Sequence, residues 1–404
     1  MTQKNLTGAK ICIVHPATIS TDVRIYRTVK MLKQQGATIT LAFIDDWNSN
    51  LGEIDELVSE LRISPKANTQ DASGSKTLLG KLRAMIAKPA SKNVAPKDKS
   101  PANPIEGFAG ELIKYDFDLV HFINYSSCIE ARRFQLLSKV PTVYEAYECW
   151  QRVLTDKEWL KAERDCIKGA RQIIVVSEPI KEAYADISCG IPVSIIMNIS
   201  PTKAIVPNAT SDPVKIYIQT IIRPHYGIED AIKLFSLIKS NCTLTIQGPC
   251  FDQDYQNSLH EMTNSLKLGD RITFEEAVPF TQSDSAANEY DVGLLLLPNT
   301  IDGINNINAE WSLPNKLFTY ASGGLAMIFN HFQSATMDFV KEYDCALFID
   351  ARDLKYSAKI IDGVISDSPR LNRMKKASHT LAQNFNIDKE SEKLLEIYLK
   401  ALSD

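Results

Sequence analysis

Residues 290–330, YDVGLLLLPNTIDGINNINAEWSLPNKLFTYASGGLAMIFN, constrain the fold more tightly than any other part of the chain. Asp291 leads into an apolar strand over 292–297, and a polar, Asn-rich loop follows. A short helix then opens at Leu313-Pro314-Asn315-Lys316 and stops at Gly323-Gly324, before a second apolar strand over 326–329. Proline suits a first helical turn, where a missing N–H costs nothing, and glycine suits the position just past the end. A helix that starts after a strand aims its unpaired backbone N–H groups and the positive end of its dipole at the strand's carboxyl edge. The segment therefore predicts a phosphate-sized anion site.

The same alternation runs through the whole chain. Strands are expected at 10–15, 38–43, 118–123, 141–145, 172–176 and 193–196, with amphipathic helices at 22–35, 156–167 and 179–185 among the segments between them. A second series begins near Lys215, with strands at 215–219, 243–247, 271–274, 292–297, 326–329 and 346–349 and helices at 228–238 and 253–266. The junction, 198–213, holds three prolines among small polar residues, as an interdomain linker should. Helices at 351–365, 368–384 and 389–402 close the chain. Strands alternating with helices predict parallel sheets covered on both faces, an α/β fold.

Composition narrows the class. A chain of 404 residues is long enough for two domains with separate cores. Hydrophobic residues at 44% and charged residues at 23% describe a soluble globular protein, and a net charge of −4 gives no reason to expect nucleic acid as a partner. There is no run of eighteen apolar residues and no signal-peptide core at MTQKNLTGAK. Eight scattered cysteines without a C-x-x-C spacing read as reduced, mostly buried thiols. These features predict a cytoplasmic protein. The stretch 87–104 carries four prolines and four lysines and follows a one-sided apolar stretch, 77–87. It reads as a solvated insertion; the alternative is a basic loop in peripheral contact with an anionic membrane, at its inner face.

These segments resemble the retaining family 4 glycosyltransferases, whose GT-B fold sets two Rossmann-like domains about a central cleft and returns the last helix to the first domain. The family commonly reads close to PnKlfEYmaaGkPvi where this chain has Pro314, Asn315, Lys316, Leu317, Phe318, Tyr320 and Gly323 or Gly324. Thr319 replaces a glutamate that holds the nucleotide ribose. Trp311 replaces a second glutamate that contacts the donor sugar, with Glu310 beside it. PTVYEAYECW at 141–150 resembles the family's vyDaHE, with Glu148 in register and Tyr147 in place of the histidine. Asp22 and Arg24 match its D-x-R near the acceptor; the alternative is that Asp22 caps the helix and Arg24 pairs with a neighbouring acid. In YIQTIIRPHYG, the usual arginine is Thr220 and the usual lysine is Tyr226, which leaves Arg223 and His225 as the cationic candidates. Gly248 ends the next strand, where glycine permits close backbone approach. Val278-Pro279 match residues that lie against the base.

The resemblance implies an acceptor domain at 1–198, a nucleotide-sugar domain at 199–384 and a returning helix at 385–404. It implies transfer of a hexosyl or N-acetylhexosaminyl group from a nucleotide diphosphate sugar to a glycan or lipid-linked acceptor with retention, as in polysaccharide biosynthesis. Arg223 and Lys316 would then stabilise the leaving diphosphate, and Glu148, Asp22, Arg24 and Tyr147 would face the acceptor. No metal and no other cofactor is expected. Asp252-Gln253-Asp254 has the form of a metal motif, yet its place at a helix start favours acid enrichment at an N-terminus. The substitutions leave two other readings open: a non-catalytic scaffold or binding subunit, and a nucleotide-sugar epimerase on the same fold.

Overall fold

The computed structural model describes residues 5–15, 22–44, 54, 58, 60–63 and 107–403. The insertion expected at 87–104 and the membrane contact weighed for 77–104 lie outside the described residues. The chain divides into two units: one runs to Met197 and resumes at Asp388, and the other spans Asn198–Ile387.

In the first unit the apolar runs become seven strands: β1 (Lys10–His15), β2 (Thr38–Phe43), β3 (Glu60–Ile63), β4 (Leu119–Ile123), β5 (Thr142–Ala146), β6 (Gln172–Val175) and β7 (Val193–Ile195). All neighbours are parallel, in the order β3-β2-β1-β4-β5-β6-β7. β4, β5 and β6 are buried along their whole length, which is why they read as continuous apolar runs rather than alternating ones. Elements without a specific sequence signal include β3, the short helices Phe108–Leu112 and Trp150–Val153, and the helix Cys128–Leu137, whose amphipathicity is weak.

The last helix, Ile387–Ser403, belongs to this unit. Glu390 on it accepts from Met197 N at 2.9 Å. Its Tyr398 hydroxyl lies 2.6 Å from Nδ1 of buried His121 on β4, whose Nε2 is 3.2 Å from Glu145 on β5. Arg27, also buried, donates to the Met197 carbonyl at 2.6 Å.

The second unit contains β8 (Val214–Gln219), β9 (Cys242–Gln247), β10 (Ile272–Glu275), β11 (Val292–Leu295), the short pair β12 (Thr300–Ile301) and β13 (Ile304–Asn305), β14 (Ala326–Asn330) and β15 (Ala346–Ile349). Six of these form a parallel sheet in the order β10-β9-β8-β11-β14-β15, while β12 and β13 pair antiparallel as a separate hairpin. Its core unites the sheet with the helices Ile228–Phe235, Leu354–Ile365 and Ser368–Asn384, from Ile216 and Leu244 to Ile361 and Leu371. In each sheet the order turns back beside the unit's first strand, between β1 and β4 and between β8 and β11. Ligands of open α/β sheets bind outside the strands' carboxyl ends at such a point.

Asp284 is a buried acid with no cationic partner among the described residues. Asp284 on the helix Ser283–Asn288 is 3% exposed and accepts from the Ser200 and Thr202 hydroxyls. Burial pushes its carboxyl up to about 6, the two hydroxyls opposing. A raised folded-state pKa means the fold favours the protonated form. The contribution of this group is fully present below pH 4 and is lost as the pH rises through about 6. Above that, the ionised group costs about 3 kcal/mol. Asp284→Asn should therefore be more stable than wild type at pH 7.5 by about 1–3 kcal/mol, and the gap should close near pH 4. Urea melts at the two values check this; a gap independent of pH would refute it.

Candidate functional site

The helix Asn315–Ser322 is placed by one tyrosine. Tyr320 is fully enclosed; its hydroxyl accepts from Gln219 N at the end of β8 (3.1 Å) and donates to the Leu294 carbonyl on β11 (3.2 Å). Gly293 makes room for the ring, since a Cβ there would lie 2.4 Å from it. The chain enters β14 at Ala326, level with Val292 at the start of β11, so the helix runs antiparallel to the strands. Its N-terminus must then point to the sheet's carboxyl edge, over the β8–β11 turning point. Asn198 fixes the entry turn by donating to the Leu313 carbonyl at 2.9 Å.

That N-terminus carries the polarity an anion needs. Its first turn has no acidic residue and no side-chain cap, and Lys316 is its second residue. A competing terminus lies nearby: Gly227, with left-handed φ of +74°, opens the helix Ile228–Phe235 against the Leu296 carbonyl after β11, 1.7 Å from where a Cβ would sit. Glu229 and Asp230 fill that first turn, and their charges oppose a phosphate there. Ser312 Oγ and Asn315 Oδ1, on either side of Pro314, are enclosed with no hydrogen-bond partner in the described structure.

Among the other expected donor residues, Arg223 follows the carboxyl end of β8 and Val278-Pro279 that of β10. Arg223, half-buried after β8, donates to the Tyr226 hydroxyl and lies over its ring, 4.3 Å from the centroid. Tyr226, expected from the resemblance to stand in place of a lysine, thus orients a cation instead of supplying one. Thr319 and Glu310 are half-buried; Ser334 Oγ donates to the Glu310 carbonyl at 3.2 Å. Val278 is half-buried and Pro279 exposed, in the loop after β10.

Four expectations need correction. Tyr320 does not offer its hydroxyl to a nucleotide, because both of its hydrogen bonds join strands. Pro314 lies just before the first helical turn (φ −70°, ψ 147°), with Asn315 the first helical residue. The Asn-rich stretch expected as a loop before this helix instead holds the β12–β13 hairpin and the helix Ile307–Trp311. Gly248 permits a close approach, but to the protein: a Cβ there would lie 1.6 Å from the Thr220 carbonyl. Asp252 accepts from Tyr255 N at 3.0 Å, as a helix cap does.

In the first unit, Asp22 and Arg24 form a capped fork at the carboxyl edge of β1. Asp22 accepts from Arg24 N at 2.9 Å and from the guanidinium through both oxygens, at 2.9 and 3.0 Å. Burial would raise this carboxyl; the Arg24 charge and hydrogen bonds from His15 and Arg24 outweigh it and hold Asp22 well below the usual range. The reading of Asp22 as cap and ion-pair partner describes these bonds. Arg24 lies over the Tyr147 ring at 3.7 Å from its centroid. Tyr147 is 3% exposed, its hydroxyl has no hydrogen-bond partner among the described residues, and burial pushes its pKa well above the usual phenol value. It cannot serve as a base near neutral pH. Glu148 is half-buried beside it. The Arg24–Tyr147 stack was not legible in sequence, because 123 positions separate the two residues.

No family model and no curated protein matches the sequence. Solved structures do match. Sucrose-phosphate synthase from Thermosynechococcus elongatus is 14% identical, with 98% of this chain and 99% of that chain aligned at a TM-score of 0.73. A glycosyltransferase from Rickettsia africae ESF-5 is 15% identical over 98% and 99% of the two chains, at 0.67. HepE from Anabaena, solved in complex with UDP and glucose, is 13% identical over 96% and 98%, at 0.65. At such identities the likeness is one of fold. With its two parallel sheets and returning last helix, this chain has the α/β architecture of the GT-B fold.

Proposed function

We propose that this protein is a glycosyltransferase that holds a nucleotide diphosphate sugar in its second unit and passes the sugar to a glycan or lipid-linked acceptor assigned to the first. The observation that carries the proposal is the opening turn of Asn315–Ser322: acid-free, bearing Lys316, and directed to the carboxyl edge where the strand order reverses. Structures of the same fold were solved with UDP and with UDP-glucose. In this reading Lys316, Arg223 and the helix amides meet the charge of the departing diphosphate. Glu310 and Thr319 meet sugar or ribose hydroxyls, and Val278 and Pro279 lie against the base. The leaving phosphate takes the acceptor's proton, so retention needs no histidine at Tyr147, and no metal is required. Glu148 and Arg24 face the acceptor. The work is that of polysaccharide or glycolipid assembly on the cytoplasmic side.

A second reading, a subunit that binds the donor but does not transfer it, draws on Thr220, buried at 3% where the family has arginine. Isothermal titration with UDP, GDP and their sugars, followed by product analysis with and without acceptor, separates the two. We expect binding to one nucleotide and loss of that binding in Lys316→Glu. No binding to any nucleotide would sink both readings, while binding without release of sugar would favour the second.

A further inference from the structure

The first unit has a polar concavity at the edge of its sheet opposite to the Asp22–Arg24 pair. A cavity of about 440 Å³ opens where β5, β6 and β7 begin, walled by Ser138, Lys139 and Pro141 before β5, Lys168 and Arg171 before β6, and Pro192 before β7. Its wall contains three cations and no carboxylate. Lys139 and Arg171 are exposed and have no ion-pair partner among the described residues. Lys168 is 3.7 Å from Asp165, which is also engaged by Lys161. Ser138 Oγ accepts from Val140 N at 3.1 Å, which leaves its proton to donate.

Two helices, Cys128–Leu137 and Lys157–Gly169, end at this cavity, and cations near helix ends can serve the dipoles alone. The charges decide against that as a full account. Each helix end is equivalent to about half a negative charge, so two ends call for about one cation; with Lys168 set beside Asp165, Lys139 and Arg171 still exceed that need. The surplus faces an open cavity.

We propose that this cavity binds a phosphate group, on a soluble phosphate ester or on an anionic lipid head. Lys139, Arg171 and Lys168 supply the charge and Ser138 a hydroxyl donor. Its residues belong to the first unit and the helix Asn315–Ser322 to the second; saturating UDP in the test serves to fill the nucleotide site proposed above, so that the phosphate read out is bound elsewhere. The full-length protein and Lys139→Gln/Arg171→Gln, whose altered side chains are exposed, would be titrated with inorganic phosphate in the presence of saturating UDP. They would also be sedimented with vesicles of phosphatidylcholine with and without phosphatidylglycerol. We expect phosphate binding weakened at least tenfold in the double variant, with UDP affinity unchanged. A lipid source predicts that anionic vesicles retain the wild type and release the variant; a soluble source predicts phosphate binding without vesicle retention. If neither phosphate nor vesicles distinguish the two proteins, the proposal is overturned.

Discussion

Replacing Lys316 with alanine should lower kcat/KM for the nucleotide-sugar donor about 100- to 1,000-fold, the range expected when one pre-aligned donor to a developing charge is removed from a site shielded from water. The ammonium sits in the second position of the helix Asn315–Ser322, where the dipole and the first-turn N–H groups already favour an anion. Charge on the diphosphate grows as the glycosidic bond breaks, so the loss should fall more on kcat than on KM. Lys316→Arg keeps the charge and should recover part of the rate, though the planar guanidinium is not a copy of the ammonium. Lys316 is half-buried and outside the apolar core, so the melting temperature should move little. Initial rates at varied donor concentration make the measurement. A kcat within twofold of wild type would remove Lys316 from the reaction and leave the anion to Arg223 and the amides.

The sequence made the outline of that helix visible because its signals are local: an apolar strand, Pro314 at the entry, Gly323 and Gly324 at the exit, and apolar residues on one face. Gly324 takes a left-handed φ of +72°, and Leu325 N returns to the Tyr320 carbonyl at 2.9 Å, so the exit was a matter of backbone chemistry. What fixes the helix in space was not visible. The Tyr320 hydroxyl spans 101 positions to Gln219, and the space for its ring depends on Gly293 lacking a side chain. Gly248 shows the same limit from the other side. Its need for room could be read, but whether a ligand or the Thr220 carbonyl fills that room is settled only by how β8 and β9 lie together. The acidic residue before β11 was legible as a feature of the strand entry. Its partner was not, for Lys375 sits in a helix whose other charged residues face water.

That partner gives the largest stability effect expected in the molecule. Asp291 is 1% exposed and accepts from Ser211 N (3.2 Å), Lys215 N (3.0 Å) and Lys375 Nζ (2.7 Å), so one carboxylate joins the junction segment, the start of β8 and the helix Ser368–Asn384. Lys375→Met keeps most of the stem's apolar volume and removes only the charge. Asp291 is then a buried anion with two backbone donors and no cation, a change that costs about 3–5 kcal/mol. Against a total stability of about 5–15 kcal/mol, this is enough to unfold the second unit at moderate urea. The helix Ser368–Asn384 packs against Asn315–Ser322, and Ser378 Oγ donates to the Leu325 carbonyl at the latter's exit, so donor affinity should weaken before the unit melts. Asp291→Asn in the same chain removes the stranded charge while keeping an acceptor for the two amides, and should restore most of the loss. The cost belongs to an unpaired charge, rather than to a lost attraction, if the double variant is more stable than Lys375→Met alone. Urea melts of the four proteins in the cycle decide it: a double variant as unstable as the sum of the singles would mean that the pair acts by packing and not by charge.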